Sequence, residues 1–172
     1  ATLTHEMASL LEGLNTKILD TRKTTPGFRM IEKWAVRIGG GENHRIGLYD
    51  MIIIKDNHID FSGGINKAIN EVQDYLKVKN KDLKICIEAR TMEDVKQIME
   101  NGKVDRIMLD NFSPALMKDA ISLINNQFET EATGGITKDT IRAYGESGVD
   151  YVSIGAITHS AGSMDLSLKA VD

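Results

Sequence analysis

Short β-branched runs alternate with stretches of helical periodicity along this chain, and that alternation constrains its fold more than any other feature. Strands are predicted at Lys17–Asp20, Met51–Lys55, Leu83–Ala89, Ile107–Leu109, Phe128–Thr133 and Tyr151–Ile154. Between them, apolar residues fall at helical spacing over Phe28–Ile38, Ile65–Val78, Met92–Glu100 and Thr137–Glu146, and Ser113-Pro114 opens a further helix as N-cap and first-turn proline. Ile65, Ile69, Val72 and Leu76 make one apolar stripe; Val95, Ile98 and Met99 make another. Trp34 and the methionines have core spacing. The run MIIIK reads as a central strand covered on both faces.

Strand–helix alternation of this kind builds a parallel sheet with right-handed crossovers. An open doubly wound sheet and a barrel both satisfy it. The turns favour the barrel, because polar residues and glycines follow nearly every strand: TRKTTPG, KDNH, EAR, DN, TGG and GAITHS. In a βα-barrel those ends meet at one mouth, whereas an open sheet dresses only its switch point. A complete eight-stranded barrel takes about 250 residues, and this chain has 172. The expected fold class is therefore α/β, an incomplete βα-barrel of about six parallel strands with surrounding helices.

Composition narrows the functional classes. The chain is 41% apolar and 27% charged, as in an ordinary globular protein. No apolar run approaches the length of a spanning helix, so no membrane partner is expected. The net charge of −4 argues against a nucleic-acid partner. One cysteine, Cys86, excludes an internal disulfide, reads as a buried inert thiol and suits a reducing, cytoplasmic location. The start shows no leader pattern. Residues 1–58 hold 8 Lys/Arg against 7 Asp/Glu, while residues 59–172 hold 13 against 18. Cationic character is thus local and early, which suits a small anion better than a polymer.

Several strand ends carry candidate chemistry. Arg22 and Lys23 read either as a solvated surface turn or as a planar fork and a point charge for carboxylate or phosphate. Gly39-Gly40-Gly41, followed by His44 and Arg45, reads either as a flexible connector or as backbone open to an anion. Lys55 ends its strand and needs a carboxylate partner or a ligand anion, and His58 reads as a hydrogen-bonding histidine. Glu88 and Asp110 could hold Mg²⁺ through water, accept from sugar hydroxyls, or neutralise Lys55 and Arg22; Glu131 is a further candidate for that set. Thr133-Gly134-Gly135 and Ser153-Ile154-Gly155 read as a phosphate cup beside helix N-termini, with tight packing turns as the alternative.

Taken in order, ILDTRKTTPG, KWAVRIGGGENHRIGLYDMIIIKDNHI, EARTMEDV, RIMLDN, EATGGIT and YVSIGAITHSAGSMDLSL resemble the motifs of the quinolinate phosphoribosyltransferase family, from residue 17 to the C-terminus. The resemblance implies a type II phosphoribosyltransferase-like barrel. It also implies transfer of phosphoribosyl from phosphoribosyl pyrophosphate to quinolinate with decarboxylation, Mg²⁺ dependence and a homodimer. By the same resemblance Arg22, His44, Arg45 and Lys55 grip the pyridine dicarboxylate and Lys23 faces the pyrophosphate. Glu88 and Asp110 hold ribose hydroxyls and the metal, and Gly134, Gly135 and Gly155 offer amides to the 5′-phosphate, with Thr133 and Ser153 in the same turns. Lys23, Lys55, Glu88 and Asp110 are the catalytic candidates. Family members carry an N-terminal domain that lends an arginine to the partner's cleft, so residues 1–172 are expected to be the barrel domain alone. A paralogue with another acceptor and a catalytically silent anion-binding barrel are the alternatives.

Overall fold

The computed structural model describes residues 1–163 and 165–171. Six strands alternate with helices in the order α1 (Thr2–Ser9), β1 (Lys17–Leu19), α2 (Arg29–Ile38), β2 (Ile52–Ile54), α3 (Asp56–Ser62), α4 (Ile65–Lys79), β3 (Ile85–Ala89), α5 (Met92–Asn101), β4 (Arg106–Asp110), α6 (Pro114–Ile124), β5 (Glu129–Thr133), α7 (Ile141–Gly145), β6 (Tyr151–Ser153) and α8 (Ala156–His159). All strand pairs are parallel and their spatial order is β1-β6-β5-β4-β3-β2. The sheet is an incomplete barrel, open between β1 and β2.

Chemistry sets the helix boundaries. Ser113 Oγ accepts the Leu116 amide ahead of Pro114, and Thr91 Oγ1 accepts the Asp94 amide while Asp94 returns the bond. Outward-facing Ile85, Ile87, Ile107, Leu109, Ala132 and Val152 pack under Ile69, Val95, Ile98, Met117 and Ile124. Each such isoleucine or leucine contributes roughly 2 kcal/mol of burial. No helix among the described residues is long and apolar enough to cross a membrane.

The other face of the sheet is polar. Register places Cys86, Arg106 and Glu129 in one row, and Glu88, Met108, Glu131 and Tyr151 in the next. Asp110 and Thr133 form the row nearest the strands' C-terminal ends. This period-2 alternation puts most branched residues outside and the charge inside, Ile53 beside Cys86 being an exception.

Four expectations are corrected. The run MIIIK forms an edge strand, not a central one, and Lys55 is about half exposed because nothing pairs with β2 on its far side. Trp34 lies outside the core at 67% exposure, as does Met30. Helix α2 instead buries Lys33 and Val36, because Lys33 finds Asp20 at the end of β1. Gly39 and Gly41 serve packing rather than a ligand: a methyl group on either would strike α1 at Thr4. Finally, KDNH and GAITHS are not plain loops but open α3 and contain α8, and α1 lies in a stretch assigned no element.

Candidate active site at the C-terminal ends of the strands

The ends of all six strands surround one cleft of about 740 Å³. From the β1 end come Arg22 and Lys23, from the segment before β2 His44 and Arg45, and from the end of β2 Lys55. Glu88, Asp110, Thr133, Gly134, Gly135, Ser153 and Gly155 complete the set chosen from the sequence, and each of these twelve residues lines the cleft. Thr21, Ile53, Met108, Asn111, Glu131, Thr137 and His159 also line it and carried no role in the sequence reading, Glu131 excepted.

Segment 41–45 runs beside β1 inside the open seam. Glu42 bridges Leu19, its amide donating to the Ile18 carbonyl at 2.8 Å and its carbonyl accepting the Asp20 amide at 3.2 Å. Fully buried Asp20 then takes Lys33 Nζ, Asn43 Nδ2 at 2.5 Å and the His44 amide at 2.9 Å. Lys33 also donates to the His44 carbonyl at 2.9 Å. Removing one partner of such a buried pair costs about 3–5 kcal/mol, so the backbone of His44 is held firmly. Arg29 does the same for the opposite loop, donating to the Arg22 carbonyl, Thr24 Oγ1 and the Ile46 carbonyl. Sequence reasoning missed Asp20, Lys33 and Arg29 because their role depends on which loops the topology brings together.

The cations fall into two kinds. Lys55 Nζ pairs with Glu88 Oε1 at 2.5 Å, while Glu88 Oε2 accepts the Asp56 amide at 3.1 Å at the start of α3. Arg22, Lys23 and Arg45 make no ion pair among the described residues, and the Nε atoms of Arg22 and Arg45 are buried without an acceptor. Arg45 donates through Nη1 to the Met51 carbonyl at 3.0 Å. Burial, and then the charge of Arg22, push the Arg45 guanidinium below its ordinary value. The cleft therefore carries positive charge that no acid among the described residues compensates.

The acids differ as well. Asp110 accepts from Thr133 Oγ1 and Asn111 Nδ2, both at 2.8 Å, and pairs with no cation among the described residues, so it does not neutralise Arg22. Glu131 is wholly buried. Burial alone would raise its carboxyl; the neighbouring His44, Ser153 and Arg106 outweigh that and hold it below the ordinary value. Among the described residues no three His, Cys, Asp or Glu side chains converge as a metal site. Glu88 and Asp110 fit a metal only of the Mg²⁺ kind, completed by water and a ligand's phosphates. Cys86 is fully buried and its thiol is pushed well up by burial, as expected of an inert group.

On the β5–β6 side, Gly134 and Gly135 line the cleft with φ of +97° and +60°. A methyl group on Gly155 would lie 2.8 Å from Nε2 of the exposed His159, which can turn aside, and 3.5 Å from Lys23 Cδ, an ordinary contact.

Residues 1–169 match the family described as quinolinate phosphoribosyl transferase, C-terminal domain. The chain belongs to this family. It is similar to the chloroplastic nicotinate-nucleotide pyrophosphorylase [carboxylating] of Arabidopsis thaliana, 48% identical over 98% of this chain and 52% of that protein. A probable nicotinate-nucleotide pyrophosphorylase [carboxylating] of Bacillus subtilis is 44% identical over 98% of the chain and 57% of its own length. The crystal structure of NadC from Streptococcus pyogenes superposes with a TM-score of 0.90 at 40% identity, covering 97% of this chain and 57% of that one. The chain thus spans about half the length of the relatives it matches. As a quinolinate phosphoribosyltransferase family barrel, it carries its cleft at the mouth where such folds place chemistry.

Proposed function

We propose that the protein of which this chain is the barrel domain transfers phosphoribosyl from phosphoribosyl pyrophosphate to quinolinate. The products are nicotinate mononucleotide, pyrophosphate and CO₂, a step of NAD biosynthesis. The supporting observation is the cation set Arg22, Lys23 and Arg45, without an ion pair among the described residues and with two buried Nε donors, in one cleft with Glu88 and Asp110. A pyridine dicarboxylate supplies the two anionic groups those cations lack, and a guanidinium fork suits a carboxylate.

In this reading Arg22, His44, Arg45 and Lys55 hold the dicarboxylate and Lys23 meets the pyrophosphate. The ring nitrogen bonds to the anomeric carbon as the bond to pyrophosphate breaks, and Glu88 and Asp110 stabilise the positive charge developing on the ribose. Quaternisation makes the ring an electron sink. The bond from C2 to its carboxyl then breaks, CO₂ leaves, and C2 keeps the electron pair and takes up a proton. Gly134, Gly135 and Gly155, with Thr133 and Ser153, cradle the 5′-phosphate. Mg²⁺, held through water by Glu88 and Asp110, would offset the charge of the pyrophosphate. A homodimer in the cytoplasm fits the exposed apolar face of α2 and the single buried thiol, and the net charge of −4 fits an absence of nucleic-acid partners.

The test is CO₂ release from carboxyl-labelled quinolinate by the intact protein, with phosphoribosyl pyrophosphate and Mg²⁺. Label should be released only when both substrates are present, and nicotinate should not replace quinolinate as acceptor. Turnover with nicotinate alone would favour a related transferase, and no turnover with either would leave an anion-binding barrel.

A further inference from the structure

His44 enters the cleft with one ring nitrogen hydrogen-bonded and the other close to a buried carboxylate. Nδ1 accepts the Arg45 amide at 2.7 Å, and an accepting nitrogen carries no proton, so the ring's proton lies on Nε2. Nε2 is buried, stands 3.3 Å from Glu131 Oε2 and has no aligned hydrogen-bond acceptor. Glu131 itself takes Ser153 Oγ at 2.5 Å and Arg106 Nη1 at 3.1 Å. Arg106 is anchored at 2.7 Å by Glu129, its register neighbour on β5, and its guanidinium lies 4.1 Å from the centre of the Tyr151 ring. A continuous column of charge therefore runs from Glu129 through Arg106 and Glu131 to His44 at the cleft floor.

We propose that Glu131 is a positioning residue for the dicarboxylate site: braced by Arg106, it keeps the proton of His44 on Nε2, so that Nδ1 holds the Arg45 amide and with it the Arg45 guanidinium. The proposal rests on the function given above. Neutralising a buried acid requires only Arg106; the approach to His44 does something more. Moving the ring proton to Nδ1 would set donor against donor at the Arg45 amide and a lone pair against the Glu131 carboxylate. Turning the ring over would put carbon atoms at both places. The Glu131 charge disfavours every alternative to the one seen, and Arg45 follows because its own amide is the group His44 accepts from.

Glu131→Gln in the intact protein tests this, with ¹⁵N-histidine NMR for the ring and steady-state kinetics for the cleft. In the unaltered protein His44 should give the signature of a neutral ring protonated on Nε2. In the variant that signature should become mixed, and KM for quinolinate should rise roughly tenfold or more while KM for phosphoribosyl pyrophosphate stays within about twofold. A changed ring signal with unchanged KM overturns the proposal, as does a raised KM with an unchanged ring signal or an equal rise for both substrates. Should the single variant fail to fold, Arg106→Met/Glu131→Gln removes the pair without leaving a bare charge and is read the same way. If the unaltered protein shows no quinolinate binding, the proposed function falls, and the ring signal alone then decides whether Glu131 governs His44.

Discussion

A methyl group on Gly134 would stand 2.6 Å from Asn111 Cγ and 2.9 Å from the Asn111 amide nitrogen, on backbone already at φ +97°. Asn111 cannot yield easily, because its own φ is +57° and its amide donates to the Thr133 carbonyl at 2.9 Å. Gly134→Val therefore stores about 1–3 kcal/mol of strain, and relief must come by moving the β4 and β5 ends that form the phosphate side. Phosphoribosyl pyrophosphate should lose tenfold or more in affinity, equivalent to about 1.4 kcal/mol, while quinolinate binding stays within about twofold. Calorimetric titration of each substrate separates the two, and equal loss of both would mean general damage. The glycine was legible in the sequence as a turn after a strand. Its partner was not, since nothing in RIMLDN announces that Asn111 closes on the neighbouring strand end.

The elements show where sequence patterning carries information and where it does not. Five-residue strands such as β3 and β4 were readable because their apolar residues are buried wherever the sheet places them. The edge position of β2 was not, since MIIIK looks the same at the centre of a sheet as at a seam. Helix α2 misled for a sharper reason: its apolar residues Met30, Ile31, Trp34 and Ile38 face outward, while Lys33 turns in toward Asp20. A buried lysine and an exposed tryptophan invert the usual pattern; a buried charge needs a partner, and a clustered exposed apolar face is what an interaction surface looks like. Lys33 has that partner within the chain. Trp34 has no such cover among the described residues, and the homodimer proposed above would supply it if α2 lies in its interface. Trp34→Glu, with Ile31→Glu as a second variant, should weaken self-association of the intact protein by about tenfold or more, as loss of a buried aromatic anchor does. Sedimentation across a concentration series reads this directly. A dimer unaffected by both changes would place the contact elsewhere.

At the scale of the whole molecule, the inside of the barrel departs from the branched packing usual in such folds. Cys86, Arg106 and Glu129 fill one row, and Glu88, Met108, Glu131 and Tyr151 the next, so the cleft rests on paired charge. The twelve residues taken from the sequence met at the mouth because strand ends converge in any parallel barrel; the column beneath them depends on register, which single strands do not reveal. That column has a consequence for acid stability. The Glu131 carboxyl is held below its ordinary value of 4.5 in the folded protein. The unfolded chain therefore takes up the proton first, and the stabilisation is fully present above about 4.5 and is lost as pH falls toward the folded value. Glu129, also held low but a third exposed, adds a smaller contribution of the same sign. The contribution of these two acids to the unfolding free energy, read by denaturant titration, should thus be level from neutrality to about pH 5 and decline below it. Glu131→Gln should lower the plateau and flatten the decline, because the amide has no proton to gain. An equally steep decline in that variant would move the acid sensitivity to other carboxylates and leave the interior column without a role in it.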